Sequence, residues 1–155
     1  MASVPTYVRS VVIAAPIDRV FAFHERPDAL ERLSPPFPPL TVIQRTGGIS
    51  TGARVHIRIG PVHWHAVHTA FDPPRLFVDE QERGPFRRWV HRHEFEDLGD
   101  GRTRLTDRLE FELPGGRVIN RLLAPFVRLG LGQMFAYRHK VTVAACEAPA
   151  SIDRR

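Results

Sequence analysis

The chain reads as a single α+β domain in which a curved, seven-stranded antiparallel sheet wraps around one long C-terminal helix. Two observations predict this architecture. Hydrophobic alternation with period two runs from Leu40 to Glu112, broken at short intervals by Gly, Pro and Asp. After Pro114-Gly115-Gly116 the alternation ends, and Asn120 to Ala144 takes helical spacing instead. A length of 155 residues with 43% hydrophobic content suits one continuous core. Residues 1–146 are therefore expected to form one domain, with 147–155 as a disordered tail.

Tyr7 to Ile13 is rich in β-branched residues and predicts the first strand. Ala15-Pro16 opens a helix, since Pro is tolerated at the first helical position and Asp18 can face the free amides of the first turn. Val20, Phe21, Phe23 and His24 follow at helical spacing, and Pro27 stops this helix before a second short one from Asp28 to Leu33. The segment Ser34-Pro35-Pro36-Phe37-Pro38-Pro39 sustains neither helix nor ladder and makes a stiff connection into the sheet. Six more strands are predicted at Leu40 to Arg45, Ala53 to Ile59, Val62 to Phe71, Arg75 to Glu82, Arg87 to Asp97 and Arg102 to Glu112. Gly60-Pro61 is short enough to join only antiparallel neighbours, and Leu98 to Gly101 does the same for the last pair. On the long helix, Leu123, Val127, Gly130, Met134, Tyr137 and Val141 are expected to face the sheet, with a kink or the helix start at Pro125.

Composition narrows the function classes. No apolar run approaches the roughly 18 residues that cross a bilayer, and the stretch after Arg9 lacks a signal-peptide core, so a cytoplasmic protein without a transmembrane segment is expected. The formal charge of +5 rests on arginines, with Lys140 as the only lysine, and clusters such as Arg87-Arg88 or Arg102 with Arg104 are interleaved with acids. Such dispersed charge differs from the continuous stripe that tracks a phosphate backbone, so no nucleic-acid partner is expected. Cys146 is the sole cysteine, in an Ala- and Pro-rich stretch, and reads as an incidental thiol. Nothing in the sequence decides between a monomer and a homodimer.

Register arithmetic brings out the informative residues, because residues opposite each other in an antiparallel pair share one face. Centring the Gly60-Pro61 turn places Ile59 opposite Val62 and Ile57 opposite Trp64, with Val55 and Ala66 on the same inner face and His56, His63 and His65 outside. The inner series continues to His68, which faces Asp79, between Phe77 and Gln81. In the last hairpin Trp89, His91, His93 and Phe95 point inward opposite Leu109, Asp107, Leu105 and Thr103; a slip by two residues would put His93 opposite Asp107 and keep the same face. Burying six polar groups (His68, Asp79, Gln81, His91, His93, Asp107) costs about 1–3 kcal/mol for each one left unpaired. Three readings compete: a satisfied structural network, a cavity whose polar end orients a ligand, and a metal site of two His and one carboxylate. The His-x-His spacing recurs at His63 and His65 on the outer face, so spacing alone is weak, and neither a metal nor a cofactor is expected.

The run Gly84-Pro85-Phe86-Arg87-Arg88-Trp89, then His91-x-His93-x-Phe95, Thr103-x-Leu105-x-Asp107 and Leu113-Pro114-Gly115, resembles the polyketide cyclase/dehydrase and lipid-transport superfamily, also called START-like or SRPBCC. Within it, the resemblance is to a subgroup marked by the Gly-Pro-Phe and Trp-x-His-x-His-x-Phe pattern. Ala15 to Phe21 resembles the usual opening of its first helix, and Phe135 with Arg138 a stretch of its last helix. The resemblance implies a helix-grip fold with two short helices after strand one and an internal cavity for a hydrophobic or amphipathic small molecule. It fixes no activity, since relatives include lipid carriers and aromatase/cyclases, and some carry the domain fused to a sugar-nucleotide-epimerase-like domain. The expected function is binding or carriage of such a molecule through Trp64, His68, Asp79, Gln81, Trp89, His91, His93, Asp107, Met134 and Arg138. The alternative is a cyclase/dehydratase-type enzyme in which His91 or His93, oriented by Asp107, moves a proton.

Overall fold

Strand-forming residues and Gly- or Pro-bearing turns build a continuous antiparallel meander in the computed structural model, which describes residues 4–149. The elements are β1 (Thr6–Ile13), α1 (Ile17–Glu25), α2 (Ala29–Arg32), β2 (Leu40–Thr46), β3 (Arg54–Ile59), β4 (Val62–Asp72), β5 (Leu76–Arg83), β6 (Arg88–Gly99), β7 (Arg102–Glu112) and α3 (Gly116–Glu147). The seven strands lie in the order β1-β7-β6-β5-β4-β3-β2, every neighbouring pair antiparallel. This is the helix-grip architecture. The first strand closes the far edge by pairing with the last, so the long loops carrying α1 and α2 are folded back over the sheet.

Apolar residues from all layers meet in two adjoining clusters. One joins Ile13, Val20, Phe21, Phe77, Phe95 and Leu105 with Cys146 from the end of α3. The other joins Leu109 and Phe111 with Ala124, Leu131 and Phe135, and is flanked by Tyr7, Phe86, Trp89 and Met134. Phe21, with its ring edge against Phe95 at 5.1 Å, is the α1 residue that anchors the short helices to the sheet.

The β3–β4 register is the expected one, with Ile57 opposite Trp64 and Ile59 opposite Val62. His68 stands opposite Asp79, also as expected. The last hairpin instead takes the register slipped by two, with His93 opposite Asp107 and His91 opposite Leu109. Its turn is tighter than a four-residue loop: Asp100 and Gly101 both adopt left-handed φ (53° and 68°), as a two-residue I′ turn requires, and the ladder is irregular between Asp97 and Gly99.

The long helix differs from expectation in start and in phase. It begins at Gly116 rather than Asn120, after Gly115 at φ 102°, and Pro125 lies inside it. Asn120 explains the early start: its side chain accepts from the Leu113 amide and donates to the Leu113 and Gly116 carbonyls, fastening the first turn to the end of β7. The buried face is Asn120, Ala124, Leu131, Phe135, His139, Thr142 and Cys146. Leu123, at 44% exposure, and Gly130 point away from the core, and Val127, Met134, Tyr137 and Val141 are half-buried. The expected stripe is one residue out of phase with the buried one, with Leu123 beside Ala124, Gly130 beside Leu131, Met134 beside Phe135 and Val141 beside Thr142, and Val118, Leu122, Phe126 and Leu129 are left in solvent. Cys146, read from the sequence as an incidental thiol in an Ala- and Pro-rich stretch, is buried in the core. The Glu147 carboxylate accepts from the Ala14 amide at 2.8 Å, and the expected tail beyond 149 lies outside the described residues.

Candidate functional site

Strand period two makes His91 and His93 point to one face of β6, and the slipped register sets Asp107 of β7 directly opposite His93 and Asp79 of β5 directly opposite His91. The Asp107 carboxylate is the hub. Its Oδ1 accepts from His91 Nε2 at 2.8 Å and lies 3.1 Å from His93 Nδ1, while its Oδ2 accepts from His139 Nε2 of α3 at 2.6 Å. Asp79 Oδ2 lies 3.1 Å from His93 Nε2 and 3.6 Å from His91 Nδ1. The two imidazoles lie against each other at 3.8 Å between centroids, and His93 stacks on Phe77 at 3.9 Å.

Protonation follows from this geometry. Burial alone would raise the Asp107 carboxyl, but hydrogen bonds from His139, His91 and His93 outweigh it and hold the group well below the usual carboxylate range. Asp79 is likewise pushed up by burial, yet the His93 hydrogen bond and the charges of His91, His93 and His68 bring it to about 2. Burial opposes a charged His93, but bonds to both carboxylates win and raise its pKa; His91, desolvated and next to His93, is lowered.

The remaining expected residues divide into two groups. His68 is buried beside Asp79 with Nδ1 unpaired, and burial lowers its pKa. Arg138 presses its guanidinium over the Phe135 ring at 5.6 Å with Nε buried and unpaired, and burial lowers its pKa too. Trp64, Trp89 and Met134 are half-buried, the two indoles edge to face at 4.9 Å. Gln81 serves a turn: its Nε2 donates to the Phe86 carbonyl at 2.6 Å and its Oε1 accepts from the Phe86 amide.

Two members were not anticipated from the sequence. His139 joins Asp107 and keeps Nδ1 unpaired; it falls one helical turn after Phe135, and the correct helix phase would have exposed it. His24 of α1 donates Nδ1–H to the Val20 carbonyl, and burial brings its pKa down to about 4. His24, Leu33, His93, Leu105, Asp107, Arg138, His139 and Thr142 line an internal cavity of about 10 Å³, room for one water-sized group. An Asp-held imidazole whose second nitrogen is free can take or give a proton to a group in that space.

Among solved structures, the chain is similar to the nucleoside-diphosphate sugar epimerase from Corynebacterium glutamicum, with 28% identity and a TM-score of 0.72 over 89% of this chain; it spans only 28% of that protein. A START superfamily protein from Mycobacterium smegmatis shares the fold at a TM-score of 0.67, with 16% identity over 92% of this chain and 97% of the other. The Zhui aromatase/cyclase from Streptomyces sp. R1128 does so at 0.72, with 15% identity and 94% of both chains covered. No curated protein matches the sequence. The profile described as polyketide cyclase / dehydrase and lipid transport matches residues 13–136, which hold α1, all the strands after it and the helix through Phe135. The chain therefore belongs to the polyketide cyclase/dehydrase and lipid transport family.

Proposed function

We propose that this domain binds or carries a small hydrophobic or amphipathic molecule between the sheet and α3, with the polar end of that molecule at Arg138 and His139. One observation carries the reading: Arg138 Nε and His139 Nδ1 are buried without a protein partner, on residues that line the internal cavity. A purely structural network would satisfy both atoms, since each unpaired one costs about 1–3 kcal/mol. A ligand hydroxyl meets the need of both, its oxygen accepting from Arg138 Nε–H and its hydrogen donated to His139 Nδ1. The cavity admits only that polar end, so the apolar body lies over Met134, one turn from Arg138, towards Trp89 and Trp64.

The same placement supports a second reading, an enzyme of the cyclase or dehydratase type. The 2.6 Å bond from His139 to Asp107 leaves Nδ1 of His139 as the free acid/base atom, whereas His91 and His93 face carboxylates with both nitrogens. The Gly84-Pro85-Phe86 motif supports the narrower subgroup, because a side chain at Gly84 would collide with Gln81 Oε1 and unseat the clamp on Phe86. Ion pairs such as Arg54 with Glu82 and Arg88 with Glu110 tie up basic groups on the surface, in keeping with a small-molecule rather than a nucleic-acid partner.

Native mass spectrometry of protein purified without detergent tests the proposal. A retained small molecule is expected in the wild type and is lost in Arg138→Met. Wild-type protein that neither retains a molecule nor takes up added fatty acid contradicts it.

A further inference from the structure

We propose that Asp79, His91 and His93 form a binding site for one divalent transition-metal ion of the zinc class, with Asp79 Oδ2, His91 Nδ1 and His93 Nε2 as its ligand atoms and Asp107 as the group that orients both imidazoles. The three residues offer donor atoms that all lie within 4.8 Å of one another. Asp79 Oδ2 is 3.1 Å from His93 Nε2 and 3.6 Å from His91 Nδ1. Ligand atoms around a tetrahedral zinc, with bonds of about 2.0–2.1 Å, stand about 3.4 Å apart. Asp79 Oδ2 therefore already stands at near-coordinating separation from both imidazole nitrogens.

The outer side of the cluster carries the stronger argument. A metal-bound imidazole needs its other ring nitrogen held by an acceptor, which fixes the tautomer and turns the lone pair to the ion. Here one oxygen, Asp107 Oδ1, faces the far nitrogen of both rings, His91 Nε2 at 2.8 Å and His93 Nδ1 at 3.1 Å. His139 in turn fixes Asp107 through its second oxygen. Charge points the same way: two inward carboxylates, Asp79 and Asp107, have one permanent cation near them, Arg138, and a divalent ion between Asp79 and the imidazoles supplies the balance. His68, 8% exposed and opposite Asp79 with Nδ1 unpaired, is the candidate for the fourth position. Two imidazoles and one carboxylate select a zinc-class ion over magnesium or calcium, which take oxygen.

The outer face provides an internal control. His56, His63 and His65 also cluster there, with His56 Nε2 2.9 Å from His63 Nδ1 and stacked 3.8 Å from His65, but among the described residues no carboxylate hydrogen-bonds to them. Chelator-treated protein is titrated with Zn²⁺ while imidazole nitrogens are followed by long-range proton–nitrogen spectra, together with the unfolding midpoint. Saturation at one equivalent is expected, with His91 Nδ1 and His93 Nε2 taking metal-bound shifts and the midpoint rising. The triple variant His56→Gln, His63→Gln, His65→Gln should keep this response, and Asp107→Asn should lower the affinity about 10–100-fold. Shifts confined to His56, His63 and His65, or binding abolished by the triple variant, overturn the proposal. So does no retained Zn²⁺ in the wild type, a readout that stands even where the Asp107 variant does not fold.

Discussion

His139 on α3 donates its Nε2–H to Asp107 Oδ2 on β7 at 2.6 Å, the one side chain to side chain hydrogen bond between the long helix and the sheet among the described residues. Both groups are buried, and Asp107 also serves His91 and His93. Removing one member of such a buried charged set costs roughly 3–5 kcal/mol. Asp107→Asn should therefore lose stability in that range in urea unfolding. A loss under about 1 kcal/mol would show that the hub does not hold the helix.

The phase of α3 makes a second, separable prediction. Phe135 is fully buried and stacks on Tyr7 at 5.7 Å, so Phe135→Ala should cost about 3–5 kcal/mol. Met134 is half-buried and its truncation should cost less, while Leu123→Ala should stay within about 0.5 kcal/mol. Denaturant midpoints in the reverse order would restore the Leu123 face.

Gly84 is expected to matter through Gln81 rather than through its own backbone. A Cβ at this position collides with Gln81 Oε1, and Gln81 clamps Phe86, which packs 4.7 Å from Trp89 and 5.6 Å from Trp64. Gly84→Ala should cost about 1 kcal/mol, the low end for overpacking because Gln81 is flexible, and shift tryptophan emission to the red. Unchanged emission would mean that the clamp is dispensable.

Cys146 gives the pH-dependent case. Burial pushes its thiol up to about 11, with Arg19 opposing and Glu147 assisting. A thiol whose folded pKa exceeds its unfolded value adds stability that is complete below about pH 9 and is lost as pH rises towards 11. Alkylation by iodoacetamide at about pH 8.5 should therefore be slow in the native protein and should track urea unfolding. Rapid labelling without denaturant would place the thiol outside the core.

Much of this was legible in the chain, and the gaps have physical causes. Period-two alternation revealed the strands, and the short Gly60-Pro61 turn fixed the register that sets Ile57 against Trp64. Asp100-Gly101 looked like part of a longer loop, and only the irregular ladder at Asp97 and Gly99 resolves the two-residue slip; His93 and Asp107 stayed on one face because the slip is even. His139 and Thr142 were hidden because buried polar residues interrupt an apolar stripe, while exposed Leu123 and half-buried Val127 imitate one. Unpaired nitrogens on Arg138 and His139 belong to no local pattern, since they depend on which strand residues α3 covers.

The central claim, an amphipathic molecule with its polar end at Arg138, is tested most directly by titrating wild type and Arg138→Met with anilinonaphthalene sulfonate while recording the unfolding midpoint of each. Arg138→Met replaces the guanidinium by an apolar chain of related reach, at a site where Nε has no protein partner to lose. Saturable binding to folded wild type is expected, with Arg138→Met still folded at the titration temperature and its affinity weaker by about tenfold, the equivalent of roughly 1.4 kcal/mol. Equal affinity in the two proteins, with both fully folded, would contradict it.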